Sequence, residues 1–212
     1  MNEIDTVLLA SGGMDSTVLA YWLNQSGQKF IPLFFKYGQH CCDNELSTLK
    51  RMLNAEMLER LEVVDISGIY QPSKSRMIVE ADLWQDQVTA DDLYLPYRNL
   101  LFLSLGAAFA QARNCSKVYS AFINSNHAKE IDCSAEFFGR LGGIFSDYGA
   151  VEIAMPFRDM SKSEVAKIGI DLKIEIGRTY SCQVSSRTAC GVCPNCVDRL
   201  EALENVTAKE GD

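Results

Sequence analysis

Residues 6–16 read TVLLASGGMDS, a strand-length apolar run followed by a glycine pair and the start of a helix. Thr6 to Ala10 has the length and composition of a buried strand. Ser11-Gly12-Gly13 breaks it, and a helical pattern runs from Asp15 to Gln25. Two adjacent glycines let a backbone turn tightly and approach a ligand with no Cβ in the way. The helix behind them aims unpaired N–H groups and the positive end of its dipole at the same place, a ready site for pyrophosphate. Ser11 and Ser16 add hydroxyl donors, and Met14 completes the loop. Asp15 would repel phosphate unless Mg²⁺ sits between them, so it reads as an indirect metal partner. Neither a GxxxxGK-S/T nor a GxGxxG string occurs, which excludes the common kinase and GTPase loop and argues against a dinucleotide fold. A glycine-rich turn of no catalytic meaning would account for a bare SGG, but less well for the full SGGMDS string between a first strand and a first helix.

Outward from this loop the chain alternates. Phe30 to Phe35 is a second strand ending at Tyr37-Gly38-Gln39, a long helix is expected over Asp43 to Glu59, and Leu61 to Asp65 is a third strand. Between Ile69 and Asp92 no period is visible, and this stretch is expected to be a mobile insertion or lid. Arg98 to Ala112 is apolar on most sides, as a helix buried against a sheet would be. Val118 to Phe122 and Val151 to Ala154 are the fourth and fifth strands, flanking a helix over Glu136 to Ser146. Ser161-x-x-Glu164 is a capping box that opens another helix, and Lys209 to Asp212 are expected to fray. Such alternation predicts right-handed βαβ units and an α/β fold with a mostly parallel sheet of about five strands.

The 212 residues suit one domain with a small appendage, divided here as an α/β domain over 1–178 and a cysteine-bearing unit over 179–212. A 47% hydrophobic and 23% charged composition is that of a globular protein with a substantial core. The net charge of −8 argues against a chain that grips phosphodiester backbones, so tRNA binding is not expected. The N-terminus carries no basic leader and no apolar stretch reaches spanning length, so a cytoplasmic, membrane-free protein is expected.

Four of the eight cysteines crowd into the string Cys182-x7-Cys190-x2-Cys193-x2-Cys196. Four thiolates at this spacing suit tetrahedral Zn²⁺, and a filled shell makes a structural site; an iron–sulfur cluster is the competitor. Gly191 and Pro194 fit the turns of such a knuckle. Cys41, Cys42 and Cys115 read as ordinary buried thiols.

The SGGMDS loop resembles the PP-loop of the ATP pyrophosphatase superfamily, whose members cleave ATP between the α and β phosphates. The resemblance implies a Rossmann-like sheet of the adenine nucleotide alpha hydrolase type, with pyrophosphate held by Ser11, Gly12, Gly13, Asp15 and Ser16. With the cysteine string added, the chain from Val7 to Leu203 resembles the 7-cyano-7-deazaguanine synthase (QueC) family. Phe35-Lys36-Tyr37-Gly38-Gln39, Pro96-Tyr97-Arg98-Asn99, Pro156 with Ser161-Lys162-Ser163-Glu164, and CGVCPNCVDR ending in Arg199 all match its segments. That family adenylates the carboxylate of a deazaguanine, displaces AMP with ammonia, and uses a second ATP to dehydrate the amide to a nitrile. The resemblance implies ATP, Mg²⁺ and Zn²⁺, and a homodimer. It implies Tyr37 and Gln39 beside the nucleotide, Arg98, Lys162 and Asp15 in catalysis, and Arg98, Asn99, Asp132 and Phe137 on the substrate. Residues 124–135 depart from the family pattern while keeping Asp132, Cys133, Glu136 and Phe137, which leaves the amine acceptor open between ammonia and a protein amine. His127 and His40 are the two histidines considered as bases. A PP-loop tRNA-modifying enzyme and a non-catalytic zinc-bearing partner-binding module are the other readings.

Overall fold

Period-two alternation along the central strands sorts the core into two layers. In the computed structural model, which describes residues 4–82, 85–123, 133–186 and 188–209, five parallel strands stand in the order β3-β2-β1-β4-β5. They are β1 (Thr6–Leu9), β2 (Ile31–Lys36), β3 (Glu62–Asp65), β4 (Lys117–Tyr119) and β5 (Glu152–Ala154). Phe34 on β2 and Leu8 on β1 face one layer; Leu33, Phe35 and Val7 face the other. The first layer is closed by α1 (Met14–Gln25), α2 (Cys42–Met52), α3 (Ala55–Glu59), α6 (Lys162–Asp171) and α7 (Pro194–Lys209). The second is closed by α4 (Arg98–Ala112) and α5 (Ala135–Tyr148). Helices on both faces of a parallel sheet are what βαβ alternation demands, and the Rossmann-like expectation holds. Gly106 lets α4 come close, since a Cβ there would meet Leu9 Cδ2 at 3.0 Å and Val118 Cγ1 at 3.4 Å.

The strand order reverses at β1. The chain runs from β1 outward to β2 and β3, then crosses back to lay β4 and β5 on the other side of β1. The loops after β1 and β4 therefore diverge at the carboxyl edge and leave a crevice, where open α/β sheets hold their ligands.

Three expectations are corrected. The helix foreseen over Asp43 to Glu59 is two helices, because Leu53 is extended at ψ 139° and Asn54 starts afresh, its side chain accepting from the Met57 N–H at 2.9 Å. Leu53 and Met57 both reach the core across this bend, and asparagine is among the best helix starters. The fourth strand stops at Tyr119 instead of Phe122; the Ser120 N–H makes a last bond to the Ala154 carbonyl at 3.0 Å, and Ala121 to Ile123 lie beyond the strand. The described part of the Ile69–Asp92 segment is packed, not lid-like. Tyr70, Met77 and Ala81, with Leu93 just after the segment, are buried in one cluster with Cys182, Cys193 and Cys196. Glu80 accepts from both the N–H and the hydroxyl of Ser186, at 2.7 and 2.6 Å.

Candidate active site

The crevice opens into a cavity of about 570 Å³. Its floor is the loop after β1. Gly12 has φ +73°, and a Cβ there would lie 2.4 Å from the Glu45 carbonyl oxygen and 2.9 Å from the Leu49 nitrogen, so only glycine lets the loop nest on α2. The Tyr180 N–H donates to the Gly12 carbonyl at 3.1 Å and pins the loop from the other side. Within it, the Ser11 N–H donates to Ser16 Oγ at 3.2 Å, the two hydroxyls lie 3.1 Å apart, and Thr17 Oγ1 donates to the Gly13 carbonyl at 2.8 Å. Gly13 precedes α1 without any side-chain cap, so the first-turn N–H groups of α1 stay open toward the cavity.

Three further helices begin at this cavity, α7 at Pro194 among them, and the other two carry cations in their first turn. The capping box at Ser161 starts α6: Ser161 Oγ accepts from the Glu164 N–H at 3.2 Å, and Glu164 accepts from the Ser161 N–H at 2.7 Å. Lys162 is then the first helical residue, its Nζ 3.7 Å from Asp15 Oδ2. Arg98 occupies the equivalent place on α4, behind a left-handed Tyr97 at φ 57°. A cation in a first helical turn opposes the helix dipole, and both of these line the cavity. Burial, and secondarily Asp198, hold the Asp15 carboxyl above its usual range, while Lys162 pulls it down. Asp15 Oδ1 is buried with no hydrogen-bond partner among the described residues, which suits a carboxylate that takes a cation such as Mg²⁺.

The opposite wall is aromatic. Phe102 stacks on Phe35 and meets Tyr37, at 5.2 Å between centroids in each case, and Phe122 stacks on Phe138 at 5.7 Å. Phe102, Tyr37 and Phe122 all line the cavity and offer flat faces to a ring. Asn99, fully buried, donates to Cys133 Sγ at 2.8 Å. Gln39 lines the wall with its amide fixed: Oε1 accepts from the Tyr37 N–H at 2.8 Å, and Nε2 donates to the Phe35 carbonyl at 3.2 Å and to Glu45 Oε2 at 3.0 Å.

Most residues named from sequence thus meet at one cavity: Ser11, Gly13, Met14, Asp15 and Ser16 on its floor, Lys162 at one side, and Arg98, Asn99, Tyr37 and Gln39 at the other. Gly12 lies beneath the floor, not in it. Phe137 packs edge-on against Phe138 at 5.4 Å and does not line the cavity. Asp132 and His127 lie outside the described residues. His40, considered as a base but read as more often incidental, does not line the cavity. Its Nε2 lies 3.1 Å from two carbonyls, of Arg76 and Gln183, and so carries the proton in a tie between segments. Sequence reasoning missed Glu45, Phe102, Phe122 and Tyr180 as wall residues.

A family model described as "Queuosine biosynthesis protein QueC" matches residues 5–207. The chain belongs to the QueC family. It is 31% identical over 211 residues to the 7-cyano-7-deazaguanine synthase of Methanospirillum hungatei, with 94% of each chain covered. It is 32% identical over 212 residues to that of Caldicellulosiruptor saccharolyticus, covering 96% of this chain and 92% of the relative. Among solved structures it is similar to NMN synthetase from Francisella tularensis at a TM-score of 0.46 and 17% identity, covering 98% of this chain and 85% of that one.

The cysteine string of this QueC-family chain forms a compact group beside the cavity. The four Sγ atoms lie within 4.8 Å of one another, and three of the four residues are buried. A tetrahedron with Zn–S bonds of about 2.3 Å has edges of about 3.8 Å, so the donor set fits such an ion. Backbone N–H groups of Cys190 and Cys193 donate to the sulfurs of Cys182 and Cys190, at 3.5 and 3.3 Å, as they do around thiolates. Thiol hydrogen bonds from Cys193 and Cys196 pull Cys182 far down, while the same bonds push Cys193 up to about 11 and Cys196 higher still. Four clustered sulfurs, three of them on buried residues, ionise together only around a cation. All eight cysteines of the chain are free of disulfides.

Proposed function

We propose that this protein is an ATP-dependent ligase that adenylates the carboxylate of 7-carboxy-7-deazaguanine and couples it to ammonia, ending at the nitrile 7-cyano-7-deazaguanine. The observation that carries the reading is the convergence of four helix N-termini, those of α1, α4, α6 and α7, with Arg98 and Lys162, on one cavity of a chain whose net charge is −8. An acidic protein that gathers positive ends in one place is built to hold anions there. ATP and a carboxylate are both anions, and the aromatic wall accommodates their rings. The names of the QueC-family relatives supply the heterocycle.

In the first step a carboxylate oxygen attacks the α-phosphorus of ATP, the α–β bridging P–O bond breaks, and pyrophosphate leaves. The open N–H groups of α1 with Ser11 and Ser16 receive the leaving pyrophosphate. Lys162 balances the charge that builds there, and Asp15 positions Lys162. Asp15 would hold Mg²⁺, which would screen that carboxylate from the phosphates. Arg98 holds the substrate carboxylate in line, and Asn99 supports the same wall. Tyr37 and Gln39 line the wall where the nucleotide and the acid meet, and Asp132 belongs to the substrate side on the family resemblance. Ammonia then adds to the acyl carbon and AMP leaves, giving the amide. A second ATP activates the amide oxygen, whose departure with AMP leaves the nitrile. Cys182, Cys190, Cys193 and Cys196 hold a structural Zn²⁺, a homodimer is the expected assembly, and the cytoplasm the expected compartment. No described helix is long and apolar enough to cross a membrane.

The test is mass spectrometry of the purified protein with ATP, Mg²⁺ and 7-carboxy-7-deazaguanine, with and without ammonium. Ammonium-dependent nitrile with AMP is the expected result. AMP without free nitrile, or the heterocycle's mass on a protein, transfers the acceptor role to a protein amine. No AMP under any condition refutes the reading.

A further inference from the structure

We propose that Glu45 reads paired hydrogen-bond donors on a flat ligand, the N1–H and 2-amino edge of the heterocyclic acid, while Arg98, on the same side of the cavity, takes its carboxylate. The inference rests on the functional reading above, and it adds a specificity-determining residue to it. Glu45 sits in the first turn of α2, is 9% exposed, and lines the cavity with Tyr37, Gln39 and Arg98. Its carboxyl is held in a fixed orientation. Oε2 accepts from Gln39 Nε2 at 3.0 Å, and Oε1 accepts from the Cys41 thiol at 3.5 Å. Gln39 cannot turn over to present its oxygen instead, because its amide is locked by the Tyr37 N–H and the Phe35 carbonyl.

The two donors on Glu45 are neutral, and among the described residues no ion pair reaches it. Arg98 is near enough to favour its charged form, but not bonded to it. A carboxylate offers about four lone-pair positions, and two are taken. A buried carboxyl without a bonded cation is costly to keep, and burial pushes this one up to about 7. The fold maintains it at a cavity wall, beside an aromatic face made by Tyr37 and Phe102 and with the Arg98 guanidinium near it on the same side. The ligand that answers all three features is a flat ring with adjacent donors at one end and an anionic group at the other. A deazaguanine carboxylic acid has that shape. The cis-diol of a ribose also offers paired donors, and the experiment separates the two sources.

The experiment compares wild type, Glu45→Gln and Glu45→Asp by AMP release and by calorimetric binding of the acid without ATP. The metal content of each variant and its melting temperature verify folding. Glu45→Gln keeps the shape but replaces one acceptor with a donor. Its KM and Kd for the acid are expected to rise on the order of ten- to a hundredfold, the loss of a charge-assisted pair. Its KM for ATP is expected to stay within about twofold. An analogue of the acid lacking the 2-amino group should bind wild type weakly and distinguish it little from the variant. A rise confined to ATP, abolished with 2′- or 3′-deoxy-ATP, would place the ribose on Glu45 and overturn the proposal. Unchanged constants for both substrates would overturn it too, leaving that edge to another acceptor. If wild type binds the acid and the variant binds it equally, Glu45 alone fails; if wild type neither binds nor adenylates the acid, the functional reading fails first.

Discussion

Replacing Glu45 by glutamine should make the protein more stable, and increasingly so as the pH rises. Burial is the largest influence on this carboxyl and holds it at about 7 against an ordinary value of 4.5. Between those values the folded chain keeps a proton that the unfolded chain has released, so unfolding loses a proton and the wild type weakens as pH increases. The full effect of that 2.5-unit difference is about 3 kcal/mol at 1.36 kcal/mol per unit, and roughly pH 5 to pH 8 spans about 2.5 kcal/mol of it. Glutamine has the same shape, can accept from Gln39, and does not titrate. Guanidinium unfolding of both proteins, metal-loaded, at a series of pH values in that window is the assay. Because other titrating groups, the cysteines included, are common to both chains, the difference isolates Glu45. The stability gap should widen in favour of Glu45→Gln by about 2.5 kcal/mol, or roughly 5–10 °C in melting temperature. A gap that stays constant across the window would refute the reasoning, since it would mean that the carboxyl ionises in the fold as readily as in water.

Gly12→Ala should destabilise the fold by about 3 kcal/mol or more, because it combines a left-handed φ with a Cβ 2.4 Å from the Glu45 carbonyl oxygen; chemical unfolding and loss of ATP binding by calorimetry measure both consequences. Lys162→Met should slow AMP release by roughly a hundred- to a thousandfold while altering the KM for ATP far less, since the charge it balances develops as pyrophosphate leaves; an equal loss in KM would make it a ground-state contact. Cys193→Ala should abolish the bound metal by atomic emission. It should also open the segment around Met77 to limited proteolysis, because Tyr70, Met77 and Leu93 pack on the same cysteines.

How much of this was legible depended on whether the signal was local. The five strands and the helices α1, α4 and α6 announced themselves through apolar periodicity, a glycine break and a capping box, all carried by neighbours in sequence. The break at Leu53 was hidden because Leu49, Leu53 and Met57 recur at helical spacing on both sides of it, and only Asn54 hinted at a restart. The Ile69–Asp92 segment had no period because its apolar residues do not face a sheet. Tyr70, Met77 and Ala81, with Leu93 just after the segment, converge on the cysteines instead, a tertiary arrangement that no spacing records. Glu45 was invisible for a related reason. A glutamate in the first turn of an amphipathic helix reads as a solvated dipole partner, and it becomes a buried wall residue only because Gly12 lets the phosphate loop settle on α2.

Four sulfurs would close the coordination shell of a metal, yet the position of the cluster makes it part of the candidate site. Tyr180 and Ser181, just before Cys182, line the cavity, and so do Gln183 just after it and Pro194 and Asn195 between the last two cysteines. The Tyr180 N–H holds the Gly12 carbonyl, and Arg199 at the far end of the string donates to the carbonyls of Ile176 and Gly177, at 2.8 and 3.0 Å. His40 ties the Gln183 carbonyl to the Arg76 carbonyl, and Asn195 Nδ2 donates to Gln183 Oε1 at 2.6 Å. A metal that fixes these four sulfurs therefore fixes one wall of the cavity and one support of the phosphate loop. Such a closed shell offers no open coordination position for the substrate, so its influence on catalysis runs through geometry. Partial removal of the metal should then lower affinity for ATP in proportion to the metal lost, without changing the rate of the molecules that keep it.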